Sequence, residues 1–372
     1  MALGVDGVRV GVATAPGGTS GCTVILPPAD TLGAVAVRGA SPGTREAAAL
    51  GAMGKLTVCH GVVLAGGSAF GLATADGVMT WLEQAGIGYP IMDGIVPIVG
   101  AAIVLDRSAI DPAARPGPAT GVAACDAAGA PDADAEVPEG AVGVGTGCTV
   151  AKVGGLEHAW RSGQGVAVRS AGGVTVGVIV ANNAVGEVMG DDGRWIARAR
   201  IDAEVARYPI AGRPGGPGAG GAGARGASAG GASAGGPGGA GVPGGAGGPG
   251  GAGGPGGAGA GGPGGAGGPG GAGSDLQGPS GNTVVGCIVT DARLTKRDAV
   301  RVADLAHDGV ARAIRPAHTE LDGDALFCLA IGRVDAPVDL VAHLAVEAVA
   351  DATRRGPLLA HGRDGLPGLA DG

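Results

Sequence analysis

Aromatic residues are scarce in this 372-residue chain, at 2% of the total, with three Trp, two Tyr and two Phe. The core must therefore be packed from Val, Ala, Leu and Ile. No run approaches the roughly 18 uncharged apolar residues that a membrane-spanning helix needs. Met1 to Pro16 also lacks the basic stretch and apolar core of a secretory signal, so a protein that is neither exported nor membrane-bound is expected. There is no cluster of Lys and Arg with interleaved aromatics, and the net charge is −8, which argues against nucleic acid as a partner. The six cysteines contain no C-x-x-C pair and lie mostly within apolar runs. Buried, reduced thiols and a cytoplasmic setting are expected. No His or Cys stands at ligand spacing from Asp322 and Asp324, so no metal or other cofactor is expected.

Glycine, by contrast, is abundant, with 83 residues in the chain and the excess concentrated between 211 and 273. From Gly244 the unit Gly-Gly-Ala-Gly-Gly-Pro repeats, with too few prolines for a collagen helix, and residues 211–273 read as a flexible linker. Roughly 310 residues remain, enough for a substantial core.

Just beyond the tract, Gly281-Asn282-Thr283-Val284-Val285-Gly286-Cys287-Ile288-Val289-Thr290 turns abruptly into a buried strand that begins at a hydroxyl residue. If the Asn282-Thr283 bond were cut, Thr283 would carry a nucleophilic hydroxyl and an α-amine that titrates near pH 7.7 to 8.0. One residue would then supply both nucleophile and base. The plainer reading is a Thr that opens a strand after a linker, and the decamer by itself leaves both open.

The rest of the chain supplies strands, helices and candidate polar residues. Val8–Ala15 and Cys22–Leu26 flank the turn Pro16–Gly21 as a hairpin, and Val35–Arg38 continues the sheet. Arg38–Glu46 is either a solvated loop or one that lines a site. Val58–Ala65 reads as a strand running into Gly66–Gly71 and then a helix through Leu82. That glycine turn fits neither G-x-S-x-G nor G-x-G-x-x-G, and tight strand–helix packing is its expected role. Ile95–Leu105 and Val174–Ala181 read as buried strands, Ser108–Pro138 as loop with a short helix, and Trp195–Tyr208 as a short helix. Lys152, alone in apolar surroundings, is either exposed or a buried cation of lowered pKa. Asn183, at a strand end, is either turn chemistry or an oxyanion donor. An amphipathic helix is expected over Leu294–Ile314, capped by Thr295 and Asp298, with His307 packed on its apolar side. Asp322 and Asp324 flank a glycine before the strand Ala325–Ile331, where they either form a turn or point into one pocket. Val338–Arg354 gives a last helix.

Taken together, Ser20–Val24, Arg38–Glu46, Val63–Val78, Gly145–Lys152, Val180–Gly186, Gly281–Lys296 and His307–Asp324 resemble the DmpA-type aminopeptidases, which include D-aminopeptidases, β-aminopeptidases and the nylon-oligomer endohydrolase. The resemblance spans nearly the whole chain outside the Gly-rich tract. It implies an α/β fold, a four-layer αββα sandwich similar to N-terminal-nucleophile hydrolases, made as one precursor that cuts itself before a Ser or Thr and assembles into homo-oligomers. Residues 1–282 would then form one part of a single hydrolase domain and residues 283–372 the part that carries the nucleophile. By motif, Asn282-Thr283 is the implied processing site, Thr283 the nucleophile and Asn183 the active-site asparagine. Lys152 matches the lysine of the nylon-oligomer branch, and Asp322 and Asp324 match its acidic pair. The implied substrates are peptides or small amides. An acyltransferase similar to ornithine acetyltransferase and a non-catalytic scaffold are the alternative readings.

Overall fold

The hairpin around Pro16–Gly21 forms as expected: strands β1 (Arg9–Thr14) and β2 (Gly21–Leu26) pair antiparallel, with Arg9 opposite Leu26 and Thr14 opposite Gly21. The structure is a computed structural model that describes residues 2–130, 136–201 and 282–372. The described residues belong to one compact unit. The expected linker, 211–273, lies outside the described residues, as do 202–208 of the expected helix Trp195–Tyr208.

Eight further strands complete two five-stranded sheets. They are β3 (Leu32–Val37), β4 (Thr44–Arg45), β5 (Gly61–Ala65), β6 (Val99–Ile103), β7 (Gln164–Ala171), β8 (Val174–Asn183), β9 (Thr283–Ala292) and β10 (Ala325–Val334). The first sheet has the order β1-β2-β5-β6-β4 and the second β7-β8-β9-β10-β3. Each contains one parallel pair, β5 with β6 and β9 with β10. A parallel connection needs a crossover, which α1 (Thr74–Gln84) supplies for the first pair and α3 (Lys296–Ala313) for the second.

The period-two alternation of the strands decides what each side of a sheet touches. Along β9, Val284 and Ile288 join the core made with α3 and α4 (Val338–Leu358), while Val285, Cys287 and Val289 turn the other way. On that side they share one apolar cluster with Val62 and Leu64 of β5, from the first sheet. Val63 and Ala65 of β5 point instead toward α1 and α2 (Pro118–Ala128). Each sheet thus carries helices on one face and shares the core of the other sheet on its second face, a mixed α/β architecture.

The shortage of aromatics has a packing counterpart. Phe327 on β10 lies between the sheets against β6, where a Cβ on Gly100 would come within 2.6 Å of its ring and 3.0 Å of Leu50. Glycine is what makes room for the ring there. Helix α3 starts as its sequence indicates, with Thr295 and Asp298 in a reciprocal capping box. Its buried stripe is Ala299, Val302, Ala303, Ala306, Val310 and Ala313.

Three elements differ from expectation. Trp195–Ala197 is a strand paired with Glu187–Met189 rather than the start of a helix, because those residues find a ladder partner that propensity cannot register. Ile95–Leu105 is broken at Pro97, with Gly94–Val96 closing a short hairpin with Tyr89–Ile91 before β6 begins. Asn182 and Asn183 are the last two residues of β8, not a turn beyond it. Among the described residues, no helix is long and apolar enough to cross a membrane. All six cysteines are buried and unpaired, and burial pushes the thiols of Cys148 and Cys328 up to about 12.

Candidate active site

The antiparallel ladder between β8 and β9 brings Asn183 directly opposite Thr283, with Asn182 opposite Val284. Asn183, Asn282 and Thr283 are all buried. The Thr283 hydroxyl donates to the carbonyl oxygen of Asn282, so it lies against the peptide bond that precedes it.

Asn183 is held firmly. Its Oδ1 accepts the Thr149 N–H at 2.9 Å, and its Nδ2 donates to the Leu105 carbonyl, also at 2.9 Å. Lys152 reaches the same residue, with Nζ donating to the Asn183 main-chain carbonyl at 2.8 Å and to Oδ1 at 3.2 Å. The backbone delivers this lysine by a left-handed residue, Ala151 at φ 58°, while the N–H groups of Ala151 and Lys152 donate to Gly186 and Val185. Lys152 is completely buried, contrary to the ordinary expectation for a lone surface lysine. Burial pulls its ammonium down to about 7, against the opposing charges of Asp322 and Asp106.

This lowering has a direct consequence for stability. The folded lysine loses its proton near pH 7 and the unfolded one near 10.5, so between those values the unfolded chain binds more protons and stability rises with pH. From pH 7, where the folded lysine is half protonated, to pH 9 the rise is about 2 kcal/mol. Lys152→Met is expected to remove it. Urea unfolding at both pH values, with Thr283→Ala as the common background so that a single chain unfolds, checks this. Equal pH slopes with and without Lys152 would contradict it.

The acidic pair closes the other side. Asp324 Oδ1 accepts the N–H of Val284, the residue after Thr283, at 2.6 Å, and Oδ2 lies 2.6 Å from His318 Nδ1. Asp322 Oδ2 accepts from the Thr319 N–H at 3.0 Å and its hydroxyl at 2.6 Å, whereas the buried Oδ1 has no partner among the described residues. Asp322 thus makes the bonds of a turn, while Asp324 reaches the start of β9. The loop Arg38–Glu46 does border the site: the N–H groups of Arg38 and Ser41 donate to the carbonyls of Asp324 and Asp322.

The glycine turn serves packing. The Gly67 N–H donates to Asp106 Oδ1 and the Ser68 N–H to the Val104 carbonyl, so both point into the protein's own acceptors. Asp106 also accepts from the hydroxyls of Ser20 and Ser108. Leu105 and Asp106 line a 590 Å³ cleft together with Ile110, Leu156 and Asp364. The cleft thus opens beside the carbonyl that fixes Asn183. Among the described residues, no group of three or more His, Cys, Asp or Glu side chains could hold a metal ion.

Thr283, Asn183, Lys152, Asp322 and Asp324 are thus gathered at one end of the second sheet. Sequence reasoning missed His318 and Asp106. His318 stands six residues before Asp324, a spacing with meaning only once the turn through Asp322 folds back, and Asp106 is an ordinary loop acid until its hydrogen bonds are seen.

The family model for peptidase family S58 matches residues 3–360. The chain belongs to peptidase family S58. Among S58 relatives, an uncharacterized aminopeptidase of Mycobacterium tuberculosis is 34% identical over 349 residues, 90% of this chain and 82% of that protein. A 6-aminohexanoate-oligomer endohydrolase of a Kocuria species is 27% identical over 336 residues, covering 89% and 75%. Of solved structures, a Burkholderia β-aminopeptidase superposes with a TM-score of 0.64 at 18% identity, over 99% of this chain and 90% of that one. The L-aminopeptidase D-Ala-esterase/amidase of Ochrobactrum anthropi, described as a variant of the Ntn-hydrolase fold, gives 0.61 at 16% identity, over 98% and 88%. The S58 chain therefore shares the fold of those enzymes.

Proposed function

We propose that this S58 chain is a self-processing amide hydrolase, cut between Asn282 and Thr283 and acting through an acyl-enzyme on Thr283. The observation that carries the reading is the position of Thr283, whose hydroxyl lies against the carbonyl of Asn282 and which stands opposite Asn183 at the mouth of a buried polar cluster. In processing, the hydroxyl oxygen bonds to the Asn282 carbonyl carbon, the carbon–nitrogen bond breaks, and the proton passes to the Thr283 nitrogen. Water then cleaves the ester and leaves Thr283 as a new N-terminus.

In turnover the same hydroxyl attacks a substrate amide while the neighbouring amine takes its proton. Asn183 donates to the oxyanion, Asp322 and Asp324 orient the amine, and Lys152 orients Asn183 and tunes the local charge. The layer order of helices, sheet, sheet and helices is that of a four-layer αββα sandwich, with residues 1–282 and 283–372 as its two parts. Processed units assemble into a homo-oligomer in the cytoplasm. The names of the relatives, aminopeptidase and 6-aminohexanoate-oligomer endohydrolase, point to peptides or linear amide oligomers as substrates.

The test is to incubate purified protein with short peptides and with linear 6-aminohexanoate oligomers, and to trap the intermediate for mass spectrometry. Free acid product and an acyl adduct on Thr283 are expected. An adduct on any other residue would refute the assignment, and transfer to an added amine in excess of hydrolysis would mark an acyltransferase instead.

A further inference from the structure

His318 is held in a left-handed backbone conformation, φ 56°, that a residue with a side chain adopts only at a cost. Its ring is fixed at both nitrogens. Nε2 lies 3.3 Å from the main-chain carbonyl oxygen of His307, which has no hydrogen to give, so Nε2 must carry the proton. Nδ1 lies 2.6 Å from Asp324 Oδ2, and a contact this short between two acceptors needs a proton of its own. Two states satisfy both contacts: imidazolium against carboxylate, or neutral imidazole against carboxylic acid. In either one a single proton is shared between His318 and Asp324. The second oxygen of Asp324 meets the N–H of Val284, one residue from the amine that self-cleavage would expose.

The groups around the pair choose between the two states. From α3, His307 packs edge-on to the His318 ring with centroids 5.0 Å apart, and its own Nε2 donates to the Ala36 carbonyl. Burial takes His307 down to about 4, so it stays neutral and does not repel a cation beside it. The Arg38 charge at the end of β3 is engaged by Asp304 and Asp308 of α3. Asp322, on the same turn, is a second acid that discourages a lone charge on Asp324. For His318, burial favours the neutral ring, but the hydrogen bond and charge of Asp324 outweigh it and raise the imidazole above its ordinary value. For Asp324, burial raises the carboxyl, and the hydrogen bond from His318 is what opposes that. Without His318, the Asp324 carboxyl, already raised by burial and by Asp322, would hold its proton to higher pH still.

We infer that His318 is a positioning residue: as an imidazolium sharing its proton with Asp324, it keeps that side chain a carboxylate, able to hold the Thr283 amine. The inference rests on Thr283 being the nucleophile. When the amine takes the hydroxyl proton it becomes an ammonium, and an Asp324 carboxylate stabilises that ion where a neutral acid cannot.

Two measurements test it. In the first, ¹⁵N-histidine NMR follows the His318 ring in the uncut Thr283→Ala chain. Both ring nitrogens are expected to stay protonated well above about pH 6.5, where an ordinary histidine is half charged, and Asp324→Asn is expected to remove that protection. A ring already neutral at pH 6.5 would overturn the proposal. In the second, kcat is measured against pH for wild type and His318→Gln. The acid limb should move up, so that the loss at pH 6 exceeds the loss at pH 8.5 at least about tenfold, since on that limb the ionised fraction of the carboxyl falls about tenfold for every pH unit. A loss equal at all pH values would mean a merely structural histidine and would overturn the proposal. Absence of cutting and turnover in wild type would instead remove the nucleophile reading, and with it the role of the pair, whatever the NMR titration shows.

Discussion

Thr283→Ala leaves the chain in one piece and lowers amide turnover by more than about 10⁴-fold, the scale on which loss of a nucleophile is felt when its partners act only through it. The methyl group of alanine fits where the threonine side chain sits, so the ladder from Asn183–Thr283 to Val176–Thr290 is retained and the effect is chemical rather than structural. Nothing else within the cluster can substitute. Lys152 is turned onto the carbonyl and Oδ1 of Asn183, Asp324 onto Val284 and His318, and Asp322 onto Thr319. Thr283→Ser restores a hydroxyl and is expected to recover both cutting and turnover in part. A gel and an activity assay on the three proteins decide the matter, and an uncut Thr283→Ala chain that still turned over substrate would refute the role given to the amine.

The next largest effect is expected at Asn183. Removal of one oxyanion donor costs about 10²–10³ in kcat, and Asn183→Ala should show that loss in kcat with KM little changed, because the donor is needed where negative charge develops. Processing should slow in parallel, since the same oxyanion forms on the Asn282 carbonyl. The substitution also strips partners from the Thr149 N–H and the Leu105 carbonyl, so the melting temperature must be followed alongside. A variant that folds, cuts itself at the wild-type rate and differs only in KM would place Asn183 outside the oxyanion site.

Much of this was legible from residue order. The strand that starts at Thr283 is where its apolar run begins, and α3 carries the cap and the buried stripe its spacing implies, because both signals are local. The buried strands were visible for the same reason, and the alternation within each is what lets one sheet face helices and the other sheet at once. What stayed hidden was long-range. From its neighbours alone Asn183 stays open between turn chemistry and an oxyanion donor until β9, a hundred residues later in the chain, pairs with it. Lys152 stays open between exposed and buried because its partner is a carbonyl at the end of β8, and no property of its neighbours announces that. His318 and Asp106 were passed over because a side chain that orients another has no signature of its own. Trp195–Ala197 went wrong for a related reason: a three-residue strand exists only by virtue of the one beside it.

The mechanism requires that Thr283 become an N-terminus. The most direct measurement is the intact mass and N-terminal sequence of freshly purified wild-type protein. Two chains, residues 1–282 and 283–372, the second beginning Thr-Val-Val-Gly-Cys, are the expected result. A single full-length chain in protein that hydrolyses amides would contradict it, because the hydroxyl would then be working without the amine on which the whole mechanism depends.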